Sequence, residues 1–293
     1  MRELGFGPED GTRAVIQAGA SAQAEVVDND VTKITSGIAY QVLDSMGPLG
    51  SGALTLEITD DGVNATGSFI LDTQYGIPSR EVGPAYIEPG AQFDIEMVAG
   101  ALTKASLTNA TFSIVNPAGE GQGRILGMAE ASYDFQAKEA TAMVMAGIVE
   151  DWPITAEWGE LTFTSGGSVT VSIEKNKLDV FEVHVPFDAH FTAGPGIKLS
   201  GQVDGSYDSE TKKYSGSVEA TLAENVDITF EAGDKITLVA EETTARAEVA
   251  DNALDNVTMG VKAKYFDKDG LNLLDGTISD AMYRVSDSKL SFN

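Results

Sequence analysis

The sequence contains no cysteine and only two histidines among its 293 residues. Without thiols the chain can form no disulfide bond, no thiolate metal site and no cysteine nucleophile. With only two histidines, His184 and His190, a serine–histidine–acid triad is improbable. These absences remove several catalytic classes before any motif is considered.

Basic side chains are scarce as well. The chain has 19 Lys and Arg against 45 Asp and Glu, which gives a formal net charge of −26 at pH 7. So acidic a surface argues against a nucleic acid partner, which requires clustered Lys and Arg. It also disfavours anionic lipid without ruling a membrane out. We therefore expect protein partners, or further domains of the same assembly.

Long apolar runs are missing too. The longest, Ala142–Val149, is far shorter than the ~20 residues that a membrane helix requires. The first residues lack the apolar segment of a signal peptide. A cytoplasmic chain, a trimmed leader and a piece of a longer protein all fit these facts. The strand-like last residues, Ser288–Asn293, favour the third.

The dominant pattern that is present is an alternation of apolar and polar residues with a period of two. It is clear over Ile197–Tyr207, Tyr214–Leu222 and Val257–Tyr265. Such alternation indicates strands with one apolar and one polar face, and short polar turns between them indicate antiparallel neighbours. With 42% hydrophobic residues the chain can build a core. We predict an all-β fold, an antiparallel meander of stacked hairpins that forms an elongated sheet, a sandwich or an open β curl.

An internal echo supports repeated hairpins. Ala131–Lys138, Gly205–Lys212 and Ala263–Gly270 each carry a strand that ends on tyrosine and runs into a polar turn. A second echo relates Leu107–Ile114 to Leu254–Val261. The spacing between copies is irregular, so we interpret them as a degenerate hairpin repeat.

Three regions follow from these patterns. Residues 1–72 form an N-terminal β region with an irregular start. Residues 73–90 hold Pro78, Pro84 and Pro89, which interrupt strand ladders, and are predicted to be a loop or a soft boundary. Residues 91–293 form the hairpin-repeat β region, either separate from the first region or continuous with it.

One segment carries both histidines among acidic residues. On an extended strand Glu182, His184, Asp188 and His190 share one face. Their donors suit zinc or another divalent ion, or a His–Asp acid–base pair. Residues four positions apart on a strand are ~13 Å apart, however, which is too far for one ion without a sharp bend. The solvent face of an amphipathic strand is the alternative.

Acidic turns raise the question of calcium, which takes six to eight oxygen ligands. Asp267–Asn272 begins like an EF-hand loop but lacks its closing glutamate and its helices. Asp28–Asp30 and Asp251–Asn256 are similar fragments. Acidic residues are also common in ordinary hairpin turns, and on that interpretation we expect no cofactor. The alternative is that these turns bind Ca²⁺ or another divalent cation.

Both tryptophans stand beside carboxylates, Trp152 next to Asp151 and Trp158 between Glu157 and Glu160. Carbohydrate-binding and glycoside-hydrolysing sites combine aromatic side chains with acids. Packing at a sheet core or edge is the alternative.

The segment Gly201–Leu222, followed by Val226–Phe230, resembles hairpin repeats of very large bacterial proteins that are secreted, surface-exposed or associated with injection systems. The resemblance covers residues 125–293 and rests on β patterning, so it carries over no functional residue. It implies a scaffold in an extracellular or cell-surface location.

We therefore expect a non-enzymatic structural β scaffold, part of a larger bacterial surface, secreted or injected assembly. One alternative is a lipid-handling or membrane-associated β structure, with the apolar faces of the strands as a track. The other is a carbohydrate-binding or hydrolytic β domain built on Trp152 and Trp158.

Overall fold

The computed structural model describes residues 4–6, 13–77, 84–116, 123–192, 196–284 and 289–291. Of these residues, 76% lie in strands and none in helices. The predicted all-β, antiparallel meander of hairpins is thereby confirmed. Within the same residues there is no helix that could cross a membrane.

The strands follow one another along the chain with short turns between them. The first twelve are β1 (Leu4–Phe6), β2 (Arg13–Ile16), β3 (Ser21–Val27), β4 (Asp30–Asp44), β5 (Gly47–Thr59), β6 (Gly62–Leu71), β7 (Tyr75–Ile77), β8 (Ala85–Ile87), β9 (Gln92–Val98), β10 (Ala101–Val115), β11 (Arg124–Asp134) and β12 (Glu139–Glu150). The others are β13 (Trp152–Ala156), β14 (Gly159–Phe163), β15 (Ser168–Glu174), β16 (Lys177–Phe191), β17 (Ile197–Asp208), β18 (Lys213–Leu222), β19 (Val226–Thr229), β20 (Lys235–Leu238), β21 (Thr244–Ala250), β22 (Ala253–Phe266), β23 (Asn272–Arg284) and β24 (Lys289–Ser291).

The chain divides into two compact units. The first comprises Met1–Val115, Leu126–Met145 and Ser172–Lys177. The second comprises Asn116–Ile125, Ala146–Val171 and Leu178–Asn293.

The proline-containing segment 73–90 lies within the first unit. It contains the short strands β7 and β8, which pair with each other. β7 comes before positions 78–83 in the chain and β8 comes after them. Those six positions, with Pro78 among them, lie outside the described residues, as do residues 1–3 and 7–12 of the predicted irregular start.

Both units contain long strands that pair, along one side, with two shorter strands placed one after the other. In the first unit β4 pairs along one side with β2 and β3, and β10 pairs with β8 and β9. In the second unit β22 pairs with β20 and β21. The two copies of the second sequence echo fall on β10 and β22, both long strands of this kind.

The first echo has a structural cause in a repeated aspartate turn. The Oδ1 atom of Asp134 accepts hydrogen bonds from the amides of residues 136 and 137, both at 2.8 Å. Asp208 Oδ1 accepts from the amides of residues 210 and 211, and Asp267 Oδ1 from those of residues 269 and 271. Each aspartate follows or closes a strand that ends in aromatic residues, so its side chain fixes where the chain turns back.

In the first unit the alternation of side chains produces one continuous apolar face. Cross-strand register aligns Ile38 with Leu54, and Phe69 with Phe93, which in turn faces Leu107. The opposite face carries Ser, Thr, Asp, Glu and Lys side chains from the same strands. A strand has two faces of opposite character because successive side chains point to opposite sides.

Large side chains on this fold lie over glycines of neighbouring strands. A Cβ atom on Gly50 would collide with the Phe69 ring, and one on Gly52 would collide with the Tyr40 ring. In the second unit a Cβ on Gly201 would lie 2.5 Å from Cζ of Phe187, the residue directly opposite in β16. Because glycine has no side chain, a ring of the adjacent strand can lie over it. Apolar surface is therefore buried between neighbouring strands of the same sheet.

Burial is shallow as a result. The described residues include no large side chain that is fully buried. The largest buried cluster consists of Leu71, Ala91 and Ala110, with Phe69 and Leu107 among the side chains packed against it. Many large apolar side chains remain more than a third exposed.

The glycine–ring contacts yield a first prediction. We expect Gly201→Val to destabilise the chain by about 1–3 kcal/mol, because the new side chain would meet both Phe187 and the Glu219 carbonyl oxygen. Gly276→Ala is the matched control, since a Cβ there would meet nothing within 4 Å. Urea unfolding followed by circular dichroism measures both. Equal stability of the two variants would contradict the packing role.

Candidate functional site

The polar face of β16 and its neighbours holds the richest set of ionisable side chains in the second unit. Because β16 runs unbroken over Lys177–Phe191, Glu182, His184, Asp188 and His190 share one of its faces. Antiparallel register places β17 beside them, with Asp204 opposite His184.

His184 is paired with a carboxylate that sequence reasoning had not singled out. Its Nδ1 lies 2.8 Å from Oδ1 of Asp204, and the Nε2 group of Gln202 donates a hydrogen bond to the other carboxylate oxygen. The hydrogen bond from Gln202 first, and then that from His184, hold the pKa of Asp204 below its usual value. Both members of the pair stay half exposed, at 50% for His184 and 42% for Asp204.

The four predicted metal ligands do not converge on one point. Asp188 and His190 line an open groove of about 340 Å³ together with Glu160 and Lys198. Glu182 lines a different groove of about 480 Å³. Asp188 also accepts a 2.6 Å hydrogen bond from Ser200 Oγ. In the part of the chain that the structure describes, no group of three or more His, Asp and Glu is placed to hold a metal ion.

The larger groove is lined by a charge network across β18, β21 and β22. Arg246 contacts Glu248 at 2.7 Å and Glu219 at 3.7 Å. Asn256 Nδ2 donates a 2.6 Å hydrogen bond to Glu248. Asp204 and Glu248 of this groove therefore have partners from the protein itself, and the groove is open to solvent.

The first unit has a comparable groove on its own polar face. It measures about 430 Å³, and Asp94, Glu96 and Lys104 line it among serine and threonine hydroxyls. Asp94 and Glu96 alternate with Phe93, Ile95 and Met97 along β9, so they share its polar face. Only the pairing of β6, β9 and β10 brings them side by side.

The two tryptophans lie on the apolar side of the sheet, opposite the polar face that carries Asp188 and Glu160. Trp152 is in register with Phe163, which in turn faces Phe187. Trp158 stacks on Phe191, with ring centroids 5.2 Å apart and a 33° angle between the planes. The adjacent acid Glu160 belongs to the polar face, opposite His190.

The acidic turns use their carboxylates locally. Asp267 Oδ1 accepts two backbone amides, and Asp251 forms a 2.7 Å ion pair with Lys213. Asp151 Oδ1 accepts the Ser165 amide at 2.7 Å. These bonds give each acid a structural partner; calcium binding remains a sequence-based hypothesis.

Comparison with known proteins adds no identification: no protein-family model, curated protein or solved structure matches this chain.

The Asp204 cluster yields a pH prediction. Because the folded state lowers this pKa, ionised Asp204 contributes stability above the ordinary aspartate pKa of about 3.9, and that contribution is lost as the pH falls through the lowered value. We expect the stability difference between wild type and Asp204→Asn to shrink between pH 6 and pH 3.

The control for this prediction is Gln202→Met, which keeps the side-chain length and removes the hydrogen bond that contributes most. We expect the free energy of unfolding of Gln202→Met to depend less on pH than that of wild type, as for Asp204→Asn. Urea unfolding at a series of pH values measures all three chains. A stability difference between wild type and Asp204→Asn that does not change with pH would contradict the assignment.

Proposed function

We propose that this chain is a non-enzymatic structural β scaffold, one part of a larger bacterial assembly that is secreted, injected or displayed at the cell surface. The observation that carries the proposal is the exposed apolar side of the strands in each unit. Ile95 of β9 is 50% exposed and Met259 of β22 is 49% exposed, although each strand is paired on both sides. Apolar surface of this extent marks a site of interaction.

The polar faces support a structural role. Reacting groups in enzymes work in sites that exclude water and place unpaired polar groups around a substrate. The grooves of both units are open to solvent, and the charged groups in the second unit bind one another. Their electrostatics stabilise the sheet and keep its surface soluble.

Lipid handling is the alternative that shares the same apolar face. In the first unit the row from Ile38 through Leu54, and the row from Phe69 through Phe93 to Leu107, could line a track for acyl chains. The two functions differ in what covers the face, and this difference can be tested directly.

The absence of native cysteine allows single-cysteine labelling on a clean background. Ile95→Cys reports on the apolar face, and Glu96→Cys, its exposed neighbour on the polar face, is the matched control. Both should react rapidly with a maleimide in the isolated chain. In cells that naturally produce the protein, we expect Ile95→Cys to react at least ~10-fold more slowly, while Glu96→Cys is unchanged, because buried apolar surface excludes the reagent.

Equal labelling of the two positions in cells would contradict the scaffold proposal. Protection that disappears when lipid is extracted, with protein partners retained, would support lipid handling instead. Protection that survives lipid extraction would support the scaffold.

A further inference from the structure

We propose that copies of this chain join edge to edge, with the free edge of β3 in one copy pairing with the free edge of β23 in the next. This inference rests on the proposed scaffold function and names the partner as a second copy. It follows from the unpaired backbone groups, the exposed side chains and the low charge of the two edge strands.

The first edge is β3. Ser21–Val27 pairs with β4 on one side, and no strand among the described residues pairs with its other side. All seven side chains are exposed. Alternate backbone N–H and C=O groups of such an edge point outward and are available to another strand.

The second edge is β23. Along Asn272–Ile278 this strand pairs with β22 on one side. Its other neighbour, β24, reaches only Met282–Arg284, and no strand of the described chain pairs with Leu274–Ile278 on that side. Leu274 and Ile278 are 65% and 51% exposed, so large apolar side chains lie at this edge in contact with solvent.

The two edges match in length. A register shift interrupts the β3–β4 pair after Glu25, which leaves Ser21–Glu25 as a regular five-residue segment. Register shifts in the β22–β23 pair bound Leu274–Ile278, also five residues. Bulges commonly protect sheet edges from pairing, so the regular segments between them are where a strand could be added.

The side chains of the two segments are complementary in size. Ala22 and Ala24 lie on the apolar side of β3, because Ala24 is in register with Ile34. Leu274, Gly276 and Ile278 lie on the apolar side of β23, in register with β22 residues of that face. The small side chains of β3 leave room beside them for the larger side chains of β23.

Each edge segment carries little charge, in contrast to the chain as a whole. The β3 segment has one carboxylate, Glu25, opposite Lys33, whose Nζ also pairs with Glu57 at 2.6 Å. The β23 segment has one carboxylate, Asp275, opposite Lys264. Like charges of two strands therefore oppose pairing weakly here. The rest of a chain with net charge −26 repels its copy over longer distances, so added salt should strengthen the association.

Pairing between two different edges is a heterologous contact, so every product that does not close on itself keeps one free edge at each end. It therefore builds rings or open chains from wild-type protein. A copy with one blocked edge can still pair through its other edge, but it can only form a dimer with a copy blocked at the opposite edge.

Lysine substitutions test this rule, since an added charge on the apolar side of an edge blocks pairing. Ala24→Lys blocks β3 and Leu274→Lys blocks β23. By sedimentation velocity in high salt, wild type should form species larger than a dimer as its concentration rises, each variant alone should remain monomeric, and an equimolar mixture of the two should form heterodimers. Ala22→Lys and Ile278→Lys are second variants should either first choice fail to fold.

Thr55→Lys and Ser206→Lys are the controls, because both residues are exposed but lie on the polar faces of strands that are paired on both sides. They should assemble like wild type. A wild-type chain that stays monomeric, an edge variant that assembles alone, a mixture that forms no heterodimer, or controls that lose assembly would each overturn the proposal. The cysteine protection described above does not depend on this result, so the scaffold function and the edge contact fail separately.

Discussion

The stability of this protein depends on large side chains that lie over glycines of adjacent strands. Phe187 covers Gly201, Tyr40 covers Gly52, and in each case a Cβ on the glycine would collide with the ring. Such contacts bury apolar surface between neighbours in the same layer, so each strand is held by the next one along the sheet. Burial along the sheet stabilises less per residue than a closed core, and the absence of a fully buried large side chain among the described residues reflects this.

This way of packing has a functional consequence. A ring that lies over a neighbouring glycine buries part of its own surface but leaves the rest of the face accessible. Residues such as Ile95 and Met259 stay half exposed even on fully paired strands. The exposed apolar faces and, among the described residues, the unpaired edges of β3 and β23 are the features on which the proposed scaffold function and edge contact rest. On the polar faces, charged and amide groups bind one another, as Asp204 does with Gln202 and His184.

Much of this could be predicted from residues alone. The alternation over Ile197–Tyr207 correctly indicates a strand, and Asp134, Asp208 and Asp267 mark turns that the structure contains. The site could be predicted only in part. Alternation places Glu182 and His184 on one face, but it does not identify Asp204 as the partner of His184, because cross-strand register depends on where the intervening turn begins and ends. For the same reason the nearness of Trp158 to Glu160 in sequence does not show that they lie on opposite sides of the sheet.

The sequence by itself determined the fold class, the polarity of each strand face, the positions of the aspartate turns and the acidic surface. These follow from local chemistry: the period of two, the hydrogen bonds that an aspartate makes to nearby amides, and the ratio of acidic to basic residues. Only the tertiary structure decided which strands are neighbours, which rings cover which glycines, which acids are paired, and which strand edges lack a partner among the described residues. Those features depend on contacts between residues far apart in the chain, and a shift of register by one residue would exchange the two faces of a strand.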